Sequence, residues 1–192
     1  MFETLIAAVI AFVSTNIDDL VINMLLFAGA DDRKGRSIAT GKYLGIGVLL
    51  MLSMLGACGL QRVPTRYLGL LGLVPIALGM KEWLAIRRQS ADKEETLPSK
   101  SIGALGVMTV TLANGADNIG VYIPLFSGYG VARMALTAIV FALLTGVWCL
   151  IGQKLSALPA LRTQLSRYKR ILVPVVFSAL GIYIILKSYL PV

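Results

Sequence analysis

The sequence predicts an all-α integral membrane protein with six transmembrane helices arranged as a 3+3 inverted repeat. Three observations carry this. Hydrophobic residues make up 57% of the chain and charged residues only 15%, against about 25% charged in an ordinary soluble domain. The apolar residues fall into six runs, each close to the roughly 20 residues that a helix needs to cross a bilayer. The Lys and Arg residues collect in alternate loops between those runs.

The six runs are Leu5–Ala28, Tyr43–Leu60, Tyr67–Ile86, Ile102–Phe126, Met134–Ile151 and Ile171–Leu190. The first lacks a basic leader and a small-residue cleavage site, so it is expected to be a retained helix. Asp31–Arg36 separates it from the second, and Gln61–Pro64 separates the second from the third. Residues 87–101 form the longest charged stretch and read as a cytoplasmic linker between two three-helix repeats, 1–86 and 102–192. Gly128–Gly130 follows the fourth run and Lys154–Arg170 the fifth. Six such runs together with their connecting loops nearly exhaust 192 residues, so no soluble domain is expected.

Orientation follows from the basic residues. Of the 18 Lys and Arg residues, the first, third and fifth loops hold all but Arg62, Arg66, Arg133 and Lys187. Lys42, at the edge of the second run, and Lys81 are counted with these loops. Those three loops are expected in the cytoplasm and both termini outside, in a multi-pass protein of the cell inner membrane. The net charge of +8 therefore tracks the membrane, and no nucleic-acid partner is expected. The spacings Gly41-x-x-x-Gly45 and Gly152-x-x-x-Ser156 permit close helix approach, within one copy or across a homodimer.

Three acids interrupt the apolar runs: Asp18 and Asp19 in the first, Asp117 in the fourth. A charge at the centre of a bilayer helix costs roughly 2.5–3.5 kcal/mol, and such residues mark ion or proton pathways. No Lys or Arg lies near them in sequence, so a bound cation or a proton is the expected compensation. A shift of 99 residues lays Asp18 on Asp117, Asp19 on Asn118, Phe27 on Phe126 and Gly29 on Gly128. With three runs per half, the second half must enter the bilayer from the opposite side, a recurring transporter plan with its site at the repeat interface.

Helical spacing groups the polar side chains around these acids. Ser14 and Asp18 share one face, Thr15, Asp19 and Asn23 another, and Asn114, Asp117, Asn118 and Tyr122 cluster in the fourth run. Asn114-Gly115 is expected to loosen that helix, and Pro124 to kink it near Gly120. The candidate binding residues are Asp18, Asp19, Asp117, Asn118, Asn114, Asn16 and Thr15. Tyr122, Ser14, Asn23, Cys58 and Cys149 are secondary candidates. Hydrogen bonding between neighbouring helices is the simpler role for the hydroxyl and amide groups, and apolar packing the simpler one for the thiols.

Carboxylate, amide and hydroxyl oxygens together form a hard donor set for a divalent cation. When empty, such a site takes up protons, because close carboxylates in low dielectric cannot all stay charged. Exchange of a divalent cation for protons follows, without ATP, since no phosphate-binding loop is present. No catalytic residue and no resident cofactor are expected.

The segments Ser14-Thr15-Asn16-Ile17-Asp18-Asp19-Leu20 and Asn114-Gly115-Ala116-Asp117-Asn118, the latter continuing to Tyr122-Ile123-Pro124-Leu125-Phe126, resemble the two signature segments of the cadmium resistance transporter family, within the wider lysine-exporter superfamily. The resemblance extends over nearly the whole chain in length and spacing. It implies efflux of Cd²⁺, with Mn²⁺, Ca²⁺ or Zn²⁺ as further cargoes. Cd²⁺ is soft and favours thiolate, which gives Cys58 and Cys149 a place in the argument. Two alternatives stand beside this reading. An acid pair would also hold the ammonium group of an amino acid or small organic cation. An intramembrane aspartyl protease also places one Asp on each of two helices, but Ala116 stands where its Gly-x-Gly-Asp pattern requires glycine.

Overall fold

The computed structural model describes residues 1–28, 30–60, 67, 69–87, 103–158 and 160–189. All regular structure among them is helical. The helices are α1 (Phe2–Phe27), α2 (Asp32–Leu60), a 3₁₀ turn (Gly69–Gly72) leading into α3 (Leu73–Arg87), α4 (Ala104–Asn114), α5 (Ala116–Ser127), α6 (Val131–Leu155) and α7 (Ala160–Tyr189). Each expected run thus falls on helix, while nearly all of the expected linker 87–101 lies outside the described residues.

Helices α2 and α6 are each long and apolar enough to cross a membrane, and the two arms of α1, Phe2–Ile17 and Asp19–Phe27, do so together. The described helices therefore supply two or three such spans against six expected. The fourth run is divided by a break at Gly115, and the third opens with a 3₁₀ turn, so each leaves only short apolar helices. The outside of the bundle is apolar, with Leu55, Leu105, Val131, Leu143, Leu150 and Val175 all exposed. Its inside holds Thr15, Asn16, Asn23, Lys42, Asn118 and Thr145. Polar groups within and apolar groups without suit a hydrocarbon solvent.

Helix α2 starts well before the expected Tyr43, because the Asp31 side chain accepts a hydrogen bond from the Lys34 N–H at 2.8 Å and caps it. The charged segment after Asp31 is thus the first turns of α2. One face of α2, comprising Ile38, Gly41, Lys42, Gly45, Ile46 and Leu49, is buried.

Helix α1 bends by 60° around Asp18. The cause lies one turn earlier. Ser14 and Thr15 hydroxyls bond the Ala11 carbonyl at 3.0 and 2.9 Å, and the Asn16 amide donates to the Phe12 carbonyl at 2.9 Å. Side chains that bond back to the preceding turn bend a helix. The fourth run breaks at Asn114-Gly115, as its residues predict. Gly120 and Pro124 both lie inside α5, which runs unbroken from Ala116 to Ser127.

Small residues set the packing. A Cβ at Gly41 would lie 2.4 Å from the Ala104 carbonyl oxygen, one at Gly45 would lie 2.7 Å from Thr111, and one at Gly115 would lie 2.5 Å from Leu49. Helix α2 therefore runs parallel to α4 and α5. Helix α1 runs parallel to α6, with Phe12 edge-on to Phe141 and Trp148 at 5.3 and 5.4 Å and Asn23 against Gly152. Helix α3 runs antiparallel to α7 through Gly72 on Gly181 and Gly79 on Pro174. The glycine spacings noted in the sequence are thus used within a single copy of the chain.

Candidate functional site

The bend in α1 and the break before α5 face each other, and a closed polar network joins them. Tyr122, fully buried, is its hub. Its hydroxyl lies 2.9 Å from Thr15 Oγ1, 3.0 Å from Asn16 Nδ2 and 3.0 Å from Asn118 Nδ2. Two amide N–H groups can fill the phenolic oxygen's acceptor sites while its own proton goes to Thr15. Thr15 then passes its proton back to the Ala11 carbonyl at 2.9 Å. The two amides also meet each other, Asn118 Nδ2 to Asn16 Oδ1 at 3.4 Å. Trp148 fixes the α1 backbone at this level, its Nε1 donating to the Asn16 carbonyl at 2.7 Å. Phe141 closes the wall, 4.8 Å from the Tyr122 ring.

The acids take up different positions around this network. Asp117 is half-buried in the first turn of α5, where the helix dipole favours negative charge. It lies within electrostatic range of the Tyr122 hydroxyl. The side chain of Asp18 lies outside the described residues. Asp19 is buried and forms an ion pair with Lys42 of α2. This overturns two expectations at once. Lys42 is not a loop residue but only 1% exposed inside the bundle, and at least one of the intramembrane acids has a cationic side chain as its partner. The reason is the early start of α2 at Asp32, which places Lys42 within the helix and on its buried face.

Next to this pair, Asn23 is 1% exposed, and neither of its amide atoms has a hydrogen-bond partner. Cys149 is buried and lies within Coulombic range of both Lys42 and Asp19. Cys58 is exposed on α2, so the two thiols do not share a site. Asn114 is exposed at the end of α4, apart from the buried network. Among the described residues, no three His, Cys, Asp or Glu side chains converge on one point.

A family model for the cadmium resistance transporter matches residues 12–190. The chain belongs to the cadmium resistance transporter family. No curated protein and no solved structure matches it. Membership makes the chain a transporter of the membrane and agrees with a role in metal export.

For this cadmium resistance transporter family member, the structure brings Thr15, Asn16, Asn118 and Tyr122 into direct contact, all of them candidates from sequence. Ser14 stays with the helix carbonyl of Ala11. Sequence reasoning missed Lys42, although a signal for it existed. Lys42 stands four residues from Ile38 and four from Ile46, between Gly41 and Gly45, and so on the apolar, close-packed face of its helix.

Proposed function

We propose that the chain is a secondary exporter of divalent metal cations, with Cd²⁺ the foremost cargo, driven by exchange for protons across the cytoplasmic membrane. The cargo site comprises Asp18, Asp19 and Asp117 with the oxygens of Thr15, Asn16 and Asn118. One observation carries this reading. The α1 bend and the α4–α5 break fall at similar places in the two halves, and side chains beside them, Thr15 and Asn16 on α1 with Asn118 and Tyr122 on α5, meet in one buried network. Interrupted helices at a repeat interface place backbone carbonyls and helix ends where an ion can use them. Cys149, near Asp19, would add a soft donor to an otherwise hard set.

The 3+3 inverted arrangement belongs to the same reading. Exchanging the two halves exchanges α1 with α4–α5 and α2 with α6. The observed pair of α1 with α6 then becomes the observed pair of α4–α5 with α2, and α3 with α7 maps onto itself. Both termini lie outside, and the basic loops are cytoplasmic.

The test is Cd²⁺ flux into proteoliposomes. Asp117→Asn abolishes flux while the purified protein keeps its helical content and elution position. Wild-type flux in that variant overturns the site.

A further inference from the structure

Lys42 has no part in the exchange just described, yet it occupies a site residue. It reaches Asp19 from a different helix, and α1 and α2 make little other contact. Its aliphatic stem lies on the buried face between Ile38, Gly41, Gly45 and Ile46, and its ammonium ends on the carboxylate. A lysine buried this deeply needs a partner.

We propose that Lys42 sets the charge selectivity of the transporter: it is a tethered monovalent cation that holds Asp19 when cargo is absent, so that only a divalent ion displaces it. The proposal rests on the reading that Asp19 belongs to the cargo site. Sodium or potassium replacing the ammonium exchanges one unit charge for another and gains little Coulomb energy. A divalent ion doubles the attraction to the carboxylate and repels the ammonium at the same time.

A displaced ammonium needs an acceptor. Asn23 lies one turn beyond Asp19 on the same face of α1 and is almost wholly buried, with its carbonyl oxygen unpartnered. A buried amide without hydrogen bonds is a standing cost, and it is relieved in the state where Asn23 receives the ammonium.

The experiment titrates Cd²⁺ into the purified full chain, followed by calorimetry, with K⁺ replaced by choline at constant ionic strength. Wild-type affinity is indifferent to K⁺. In Lys42→Met, K⁺ competes, and the apparent Cd²⁺ affinity falls by about tenfold or more between the choline and K⁺ buffers. Lys42→Gln keeps a hydrogen bond to Asp19 without the charge; it replaces Lys42→Met if that variant does not fold, and it must show the same competition. Asn23→Leu weakens Cd²⁺ binding when Lys42 is present and has no effect in the Lys42→Met background. K⁺-indifferent binding in a folded Lys42 variant overturns the proposal, and so does an equal effect of Asn23→Leu in both backgrounds. Asp117→Asn separates this from the site itself: if that variant binds Cd²⁺ normally, the cargo site is wrong. If it loses binding while the Lys42 variants stay K⁺-indifferent, only the role of Lys42 falls.

Discussion

Asp19 and Lys42 depend on each other. Taking either charge out of water is expensive, and removing one partner strands the other. Asp19→Asn is therefore expected to destabilise the protein by about 3–5 kcal/mol, measured by unfolding in detergent. The double variant Asp19→Asn/Lys42→Met, which leaves no buried charge at this place, recovers most of that loss. At this scale the sequence spoke clearly about acids and amides and only faintly about their partners. Asp19, Asn16 and Asn118 stand out because polar groups are rare in apolar runs. Lys42 did not stand out, since a basic residue at the edge of a run is ordinarily part of a loop. Only the capping of α2 by Asp31 turns that edge into an interior.

At the scale of elements, the helix contacts depend on missing side chains. Gly41 faces the Ala104 carbonyl oxygen, whereas nothing lies within 4 Å of a Cβ at Gly47 on the same helix. Gly41→Ala forces α2 and α4 apart and is expected to cost about 1–3 kcal/mol. Gly47→Ala meets no obstacle and gains up to about 1 kcal/mol from helix propensity. Thermal unfolding of the two variants checks these opposite signs. Element types and approximate positions were legible from hydropathy, and so was the weak point at Asn114-Gly115. The bend at Asp18 was not, because it arises from three consecutive polar side chains bonding back to the preceding turn.

For the whole molecule, the proposed proton exchange predicts competition between protons and cargo. In that scheme the same carboxylate oxygens serve both, so metal affinity is expected to fall as pH is lowered and to recover as it is raised. Cd²⁺ titrations between about pH 5 and 8 check this, and affinity independent of pH contradicts the exchange scheme. The all-helical build with apolar helices was legible because composition and hydropathy point the same way. How the helices pair was not, since periodicity marks the buried face of a helix without saying which helix covers it.

That interlocking bears on how the chain is made. Helix α1 leans on α6, α2 on α4 and α5, and α3 on α7, so every principal partner of the first three helices lies after residue 103. The nascent first half leaves the ribosome with its close-packed glycine faces uncovered and waits in the lipid for the rest to arrive. Segments 1–95 and 96–192 expressed separately should each be degraded, while co-expression should restore both to detectable levels on a membrane immunoblot. Accumulation of either segment alone would show that one half can mature without the other.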